Sequence, residues 1–240
     1  MLAIRSARLF DGMADQLRPR PLVLVDQGRI IDVDVTGADP PEGTELVDLG
    51  EATLLPGLID SHTHLVLDAS NDPVGHLADV DDNQLLEQCR ARARAALAAG
   101  ITTIRDLGDR RFVTLRLRQE LAAHPERGPQ LLVSGPPVTT RGGHCWFLGG
   151  EAAGVDGVRA AVRALAERGV DVVKVMVTGG NLTSPPARCS GGRSTARPSW
   201  GRRWRRRTGP GWRSPGMRTA SRASPRRWPP GLTASSMARS

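Results

Sequence analysis

Residues 3–50 alternate apolar and polar positions in short stretches, a pattern typical of β-strands. Residues 22–25 and residues 29–33 are two such stretches, and Gly28 lies between them as a turn signal. Neighbouring strands joined by short turns favour antiparallel pairing. The pattern therefore predicts a small antiparallel sheet, and we place a separate small domain over residues 1–54.

From residue 53 onward the pattern changes to continuous apolar runs separated by helical periods. The apolar runs cover residues 54–59, 101–104, 131–133 and 170–177, and the helical patterns cover residues 83–99, 111–124 and 158–168. Runs of this kind predict strands that are buried on both faces. Strands that alternate with helices predict βαβ units, a parallel sheet and an α/β fold class. Four strands are about half of an eight-stranded TIM barrel, so we expect the first four βα units of such a barrel over residues 55–182.

The rest of the chain, residues 183–240, has a different composition. It holds 14 arginines, four of the five tryptophans and eight of the 18 prolines, but no aspartate or glutamate. The net charge of +8 comes from this tail, since residues 1–182 hold 19 basic and 25 acidic side chains. Leu232 is the only leucine, isoleucine, valine or phenylalanine in the tail, so the tail is predicted to be a disordered, low-complexity segment.

Arginine with interleaved tryptophan is also a composition that binds single-stranded nucleic acid, because cations meet phosphates and indoles stack on bases. Residues 202–207, Arg-Arg-Trp-Arg-Arg-Arg, are the candidate patch. One interpretation is therefore a nucleic-acid-binding tail on a metal-binding scaffold without catalytic activity. The competing interpretation, developed below, predicts only weak, non-specific binding of nucleic acid by this tail.

Several classes of protein are excluded or disfavoured by composition. No apolar run approaches the roughly 18 residues of a membrane span, so we expect no membrane partner. The N-terminus lacks the basic, apolar and small-residue pattern of a secretory signal. Three cysteines, Cys89, Cys145 and Cys189, are too few and too scattered for a disulfide framework. A cytoplasmic protein is the expectation.

Two histidines follow the first apolar run, in the sequence Gly-Leu-Ile-Asp-Ser-His-Thr-His-Leu over residues 57–65. Residues i and i+2 of an extended strand point the same way, so His62 and His64 face one side. Neutral imidazole is a good ligand for zinc and other divalent ions. A bare His-x-His is weak evidence, but its place at the carboxyl end of a predicted buried strand favours a metal site over two solvated loop residues.

Lys174 is the only lysine in the sequence, against 32 arginines, and it lies inside an apolar run. Arginine stays charged, whereas a buried lysine can lose its proton and react. Its amine can form a Schiff base, or add carbon dioxide to become a carbamate that bridges two metal ions. The alternative is a lysine whose stem packs against the protein while its ammonium group reaches solvent.

Two further residues are candidates for substrate binding. Asp106 ends the second barrel strand, where it either lines the same edge of the sheet or pairs with Arg105. His144 lies in a glycine-rich loop after the third strand, and loops on that face bind substrate in barrel enzymes. Cys145 has no evident base partner, so we predict no cysteine nucleophile.

Residues 54–65 resemble the first barrel strand of the metal-dependent amidohydrolase superfamily. Residues 102–108, 142–150 and 170–180 resemble its imidazolonepropionase-like and Xaa-Pro dipeptidase branch. The resemblance implies a (β/α) barrel beside a small β-sandwich. It implies a site for a divalent cation, zinc by preference and one or two ions, at His62, His64 and Lys174, with the lysine carboxylated. It also implies attack by a metal-activated hydroxide on the C–N bond of a small amide, cyclic amide or dipeptide.

The sequence departs from the family pattern after Lys174. Family members carry histidines on the fifth and sixth strands and a catalytic aspartate on the eighth, but this chain has no histidine, aspartate or glutamate beyond Lys174. The catalytic residue is therefore not identified. Joining the last base of each codon to the first two of the next turns residues 216–219 into His-Ala-His and residues 235–238 into Glu-His-Gly, for codons that these amino acids allow.

The two recovered motifs match the missing fifth-strand and sixth-strand histidines in order. We therefore interpret the tail as the product of a one-base shift of reading frame soon after Leu182. On this interpretation the chain is a truncated, inactive fragment of a hydrolase that acts on carbon–nitrogen bonds, with poor solubility. The substrate, the metal and its number, and the oligomeric state, including a homo-oligomer, stay open from sequence.

Overall fold

The structure, a computed structural model, describes residues 1–180. The predictions made for the tail, namely disorder, nucleic-acid binding and a shifted reading frame, lie outside the described residues. The described strands are β1 (Leu2–Arg5), β2 (Arg8–Leu9), β3 (Arg18–Pro19), β4 (Leu22–Asp26), β5 (Arg29–Asp34), β6 (Glu45–Asp48), β7 (Thr53–Leu54), β8 (Leu58–Thr63), β9 (Ile101–Asp106) and β10 (Gln130–Val133). The described α-helices are α1 (Pro73–Asp79), α2 (Asp82–Ala98), α3 (Val113–Ala123) and α4 (Gly154–Glu167).

The N-terminal residues form two small sheets. One has the strand order β5-β4-β1-β6, and the other has the order β3-β2-β7. The predicted antiparallel hairpin is confirmed, because β4 and β5 pair antiparallel on either side of a turn at Gly28. The expectation of a purely antiparallel sheet is wrong, since β6 pairs parallel to β1 and β7 pairs parallel to β2. A parallel pair needs a long stretch of chain between its strands, and residues 6–44 separate β1 from β6 while residues 10–52 separate β2 from β7.

The second part of the chain is a parallel sheet covered by helices. Its strand order is β10-β9-β8, and Thr63, Asp106 and Val133 lie side by side at the carboxyl ends of the strands. In the sequence α2 lies between β8 and β9, and α3 lies between β9 and β10, so the predicted alternation of strand and helix is confirmed. Leu85 of α2 and Leu117 of α3 belong to the core that covers this sheet. The architecture is mixed α/β.

The prediction of one strand over residues 54–59 is wrong. The segment is divided between β7, in a small N-terminal sheet, and β8, in the parallel sheet. Pro56 separates the two because proline has no N–H to donate to a ladder. Burial on both faces is also wrong for β8, since Leu58 is 49% exposed and Ile59 is 58% exposed.

The prediction of a strand over residues 170–177 is wrong as well. The segment runs beside the chain after β10, but it makes only a single isolated bridge within the described residues, between Val138 and Val175. Backbone hydrogen bonds join residues 171 and 172 to Val133, and join Lys174 and Met176 to Val138. Between Val133 and Val138 lie Pro136 and Pro137, which have no N–H, so a continuous ladder does not form.

Helix α2 begins at a side-chain cap. Asp81 precedes α2 and accepts hydrogen bonds from the backbone N–H groups of Asn83 and Gln84, while the Gln84 side chain accepts from the backbone N–H of Asp81. This reciprocal capping box satisfies donors that the first helical turn leaves free. No helix among the described residues is long and apolar enough to cross a membrane.

Replacing Asp81 with alanine is expected to destabilise the protein by about 1 kcal/mol, because the two N–H groups at the start of α2 lose their acceptor. Urea unfolding followed by circular dichroism measures the change in the free energy of unfolding. The matched control is Asp15→Ala, since Asp15 is exposed and its side chain accepts no hydrogen bond within residues 1–180. Equal unfolding midpoints for the two variants would show that the capping box does not stabilise α2.

Candidate metal centre

Three predicted residues converge at the carboxyl edge of the parallel sheet. His62 lies in β8, and His64 follows directly after it. Lys174 comes from the segment that runs beside the chain beyond β10. Its Nζ lies 3.4 Å from Nε2 of His62, and the two histidine ring centroids are 5.6 Å apart. Residues separated by more than a hundred positions in the sequence thus share one small region.

His64 is held through its ring. Its Nδ1 lies 3.1 Å from the carbonyl oxygen of Gly108, and a carbonyl only accepts, so Nδ1 carries the proton in this contact. Burial lowers the pKa of His64, with the hydrogen bond to Gly108 acting in the opposite direction and the charges of His62, Lys174 and His144 lowering it further. A neutral imidazole with a proton on Nδ1 has a bare Nε2, which is the form that ligates a metal.

His62 is exposed, and it is disfavoured as a cation too. Partial desolvation of the ring is the largest cause that lowers the pKa of His62, and the charges of Lys174 and Arg105 lower it further. The carboxylate of Asp60 acts in the opposite direction. Lys174 itself is half-buried, and its backbone carbonyl accepts a hydrogen bond of 2.8 Å from the N–H of Val138. This backbone contact fixes where the lysine side chain begins, on the side of the site opposite β8.

Asp106 does not have the position that we predicted for a substrate contact. The side chain is fully enclosed, at 0% exposure, and it does not pair with Arg105. Its Oδ2 accepts a hydrogen bond of 2.7 Å from the N–H of Leu65, and its Oδ1 accepts one of 3.1 Å from the N–H of Gly108. Burial raises the pKa of Asp106 above its ordinary value. Both of its oxygens accept an N–H group, which is the hydrogen-bond pattern of the ionised form and acts in the opposite direction. An enclosed carboxylate offers no surface to a substrate, which corrects the prediction.

His144 is half-buried in its glycine-rich loop, and its charge is close enough to lower the pKa of His64. A Cβ atom built on Gly180 would lie 2.7 Å from the His144 ring, so the loops that follow β10 and Lys174 meet at this residue. Nδ1 of His144 is buried without a hydrogen-bond partner within residues 1–180.

Sequence reasoning missed two side chains that fix the backbone around the parallel sheet. Asp109 is enclosed and accepts hydrogen bonds from the backbone N–H and the hydroxyl of Thr114 at the start of α3. Arg92 of α2 donates to the carbonyl oxygen of Leu65 at 2.7 Å. An aspartate five residues before a threonine at a helix start is a weak capping signal. The long-range bond from Arg92 has no signal in the local pattern.

The donor set fits a divalent cation of the kind that imidazole binds. Among the described residues no three histidine, cysteine, aspartate or glutamate side chains converge, so a site here needs Lys174 as well as the two histidines. Nζ of Lys174 lies 3.4 Å from Nε2 of His62, so a group carried on the lysine amine lies close to this imidazole.

Comparison with known proteins identifies the family. Residues 53–187 match the Amidohydrolase family model, which is more than half of the chain and includes both histidines and Lys174. The chain belongs to the amidohydrolase family. The resemblance carried by the strand and loop motifs is thereby confirmed.

The chain aligns with only part of each relative's length. This amidohydrolase chain is 28% identical to a Xaa-Pro dipeptidase solved with methionine in its active site, with a TM-score of 0.67 over 76% of this chain and 48% of that one. It is 26% identical to a prolidase solved with N-methylphosphonate-L-proline, with a TM-score of 0.65 over 76% of this chain and 48% of the prolidase. An allantoinase from Streptomyces avermitilis is 37% identical over 106 residues, which are 44% of this chain and 20% of the allantoinase. The chain thus spans about half the length of the solved relatives.

The histidines of this amidohydrolase chain are expected to titrate in different ranges. The pKa of His64 is lowered by burial, whereas the pKa of His76 is raised by its hydrogen bond to Asp68. In a ¹H–¹³C NMR titration of the metal-free chain, His64 should gain its proton at a lower pH than His76. Asp68→Asn should move the midpoint of His76 down and leave that of His64 unchanged. A His64 midpoint at or above that of His76 would contradict the buried, neutral imidazole.

Proposed function

We propose that this chain carries the first half of a divalent-metal-dependent hydrolase site that acts on C–N bonds of small amides or dipeptides. The observation that carries the proposal is the convergence of His62, His64 and Lys174 at the carboxyl edge of a parallel sheet. Membership of the amidohydrolase family supports it. A partial barrel is the architecture that we propose for residues 55–182, since active sites of barrel enzymes lie at this edge.

The cation would be held by His62 and His64 through imidazole nitrogens and by Lys174 as its carbamate. Zinc is the metal that we propose, because two neutral imidazoles suit it. When bound, a divalent cation supplies Lewis-acid polarisation of the amide carbonyl. The ammonium group of Lys174 first releases one proton to solvent. The freed Nζ lone pair then bonds to the carbon of carbon dioxide, and the nitrogen releases a second proton to solvent. The carbamate is negatively charged, whereas the protonated lysine side chain is positively charged.

The other residues of the site orient and bind. The Gly108 carbonyl keeps the proton of His64 on Nδ1 and leaves Nε2 free. We propose that His144, which is half-buried in the loop after β10, donates a hydrogen bond to the carbonyl or carboxylate of the substrate. Dipeptides are the favoured substrate class, because the likeness to the dipeptidase and prolidase structures covers 76% of the chain, against 44% for the allantoinase.

Little or no turnover is proposed for the chain as written. Beyond Lys174 the sequence has no histidine, aspartate or glutamate, so it lacks a further imidazole ligand or a carboxylate that moves a proton. The shifted reading of the tail restores two histidine motifs, which supports the interpretation that the family site continues in another frame. Sequencing the coding DNA across codons 180–190 tests this directly.

Metal affinity tests the ligand set. We expect cobalt(II) to give a visible ligand-field spectrum with the wild-type chain, and zinc to displace it. His62→Ala and His64→Ala should each weaken binding by at least ~10-fold, because each removes an imidazole donor. His124→Ala is the matched control, since His124 is exposed at the end of α3. Equal affinities for wild type and both site variants would contradict the proposed ligands.

Bicarbonate tests the carbamate. Added bicarbonate is expected to strengthen cobalt(II) binding by the wild-type chain, because carbamate formation supplies an oxygen ligand. Lys174→Arg should bind more weakly and should not respond to bicarbonate, since a guanidinium remains protonated and does not form a carbamate. An equal response by the two proteins would exclude Lys174 as the carboxylated ligand.

Turnover measurements test the proposed hydrolase activity and the shifted reading frame. Hydrolysis of Xaa-Pro dipeptides should be absent for the chain as written and should appear, dependent on metal, when the codons after Leu182 are read in the shifted frame. Metal-dependent hydrolysis by the chain as written, lost in His64→Ala, would show that residues 1–240 are sufficient. Failure of the frame-restored protein to hydrolyse any amide or dipeptide would contradict the proposed function.

A further inference from the structure

The carboxylate of Asp106 joins the ends of two strands through backbone hydrogen bonds. One oxygen accepts from the N–H of Leu65, the residue after His64, and the other accepts from the N–H of Gly108. The strand ends are joined a second time, because the N–H of Leu107 donates to the carbonyl of Thr63 at 2.9 Å. The two segments that meet at His64 therefore move as one unit.

Gly108 is the link between this carboxylate and the histidine. Its N–H is held by Asp106, and its carbonyl oxygen faces Nδ1 of His64 at 3.1 Å. A Cβ atom built on Gly108 would lie 3.1 Å from both Cε1 and Nδ1 of the ring, so the imidazole packs directly on this residue. The orientation of one short backbone segment thus decides whether a carbonyl is present to accept the Nδ1 proton.

The position of Leu65 is fixed from both sides. Asp106 holds its N–H, while its carbonyl oxygen accepts from Arg92 at 2.7 Å and from the thiol of Cys89 at 3.3 Å. The backbone that leaves His64 therefore has little freedom to rotate, and the imidazole stays beside Gly108. A carboxylate suits this arrangement because each oxygen accepts one N–H. An amide in its place would turn one oxygen into an NH₂ group that faces a donor.

We propose that Asp106 is a positioning residue that fixes His64 as the Nδ1–H tautomer by holding the Leu65 and Gly108 backbone amides. The residue touches neither metal nor substrate, and it acts through the Gly108 carbonyl. The tautomer is a property of the metal-free chain. The consequence for metal affinity rests on the proposed function, and the two are measured separately below.

The test compares two isosteric variants of enclosed aspartates. Asp106→Asn keeps the shape of the side chain but offers an acceptor to only one of the two amides. Asp109→Asn is the matched control, because Asp109 is also enclosed but its hydrogen bonds go to Thr114, away from His64. Long-range ¹H–¹⁵N correlation of the ¹⁵N-histidine-labelled, metal-free, full-length chain, at a pH above the pKa values of both His64 and Asp106, reports which ring nitrogen is protonated.

We expect wild type and Asp109→Asn to show His64 with an N–H shift at Nδ1 and a bare-nitrogen shift at Nε2. In Asp106→Asn the two ¹⁵N shifts should approach each other, as the tautomers mix, and cobalt(II) affinity should fall by about 10- to 100-fold. If His64 is still found only as the Nδ1–H tautomer in Asp106→Asn, the inference is wrong, whether or not the chain binds metal. If Asp106→Asn shows mixed tautomers while wild type and Asp109→Asn do not, the inference stands. If the wild-type chain also binds no metal, the proposed function is contradicted.

A measurement on the wild-type chain covers the case in which Asp106→Asn does not fold. Scalar couplings across the hydrogen bonds should connect the amide nitrogens of Leu65 and Gly108 to the side-chain carboxyl carbon of Asp106. The presence of both couplings supports the inference. The absence of both in the folded wild-type chain would overturn it, because the carboxylate would then hold neither amide.

Discussion

A buried carboxylate joins two adjacent strand ends, and the geometry of the candidate site depends on that connection. Enclosing a charged group is unfavourable unless its hydrogen bonds are satisfied. Asp106 meets this condition with two backbone N–H groups, one from the residue pair that follows β8 and one from the segment that follows β9. The result is a short, rigid edge on which His64 is oriented by a backbone carbonyl rather than by another side chain.

The same edge explains how distant parts of the sequence form one site. Parallel strands bring their carboxyl ends to one side of the sheet, so each following loop contributes there. His62 and His64 lie at the end of β8, and the Gly108 carbonyl after β9 orients His64. The segment beside Val138 contributes Lys174. Electrostatics act in a consistent direction, because burial and the neighbouring positive charges lower the pKa of both His62 and His64 and favour neutral imidazoles, each with one nitrogen that carries no proton.

Local periodicity was enough for the helices and failed for two strands. The repeats over residues 83–99 and 111–124 carry their own helical spacing, and they correspond to α2 and α3. The run over residues 170–177 has an apolar pattern, but its ladder depends on the opposite segment, where Pro136 and Pro137 have no N–H groups. No pattern within residues 170–177 contains that information. The division of residues 54–59 at Pro56 was readable from the sequence but was not predicted.

The candidate site shows the same division between local and long-range information. Residue type and spacing were enough to single out His62, His64 and the lone Lys174, which the structure brings together. The role of Asp106 was not predictable, because its partners are backbone amides, and backbone groups have the same identity at every position. What distinguishes Leu65 and Gly108 is where the fold puts them.

X-ray absorption at the zinc edge of the metal-loaded chain tests the central claim most directly. The account predicts a first coordination shell of nitrogen and oxygen at about 2.0–2.1 Å, with the multiple-scattering pattern of two imidazoles that is reduced to one in His62→Ala. A shell of oxygen without imidazole scattering, or a sulfur neighbour at about 2.3 Å, would contradict the assignment of His62 and His64 as ligands.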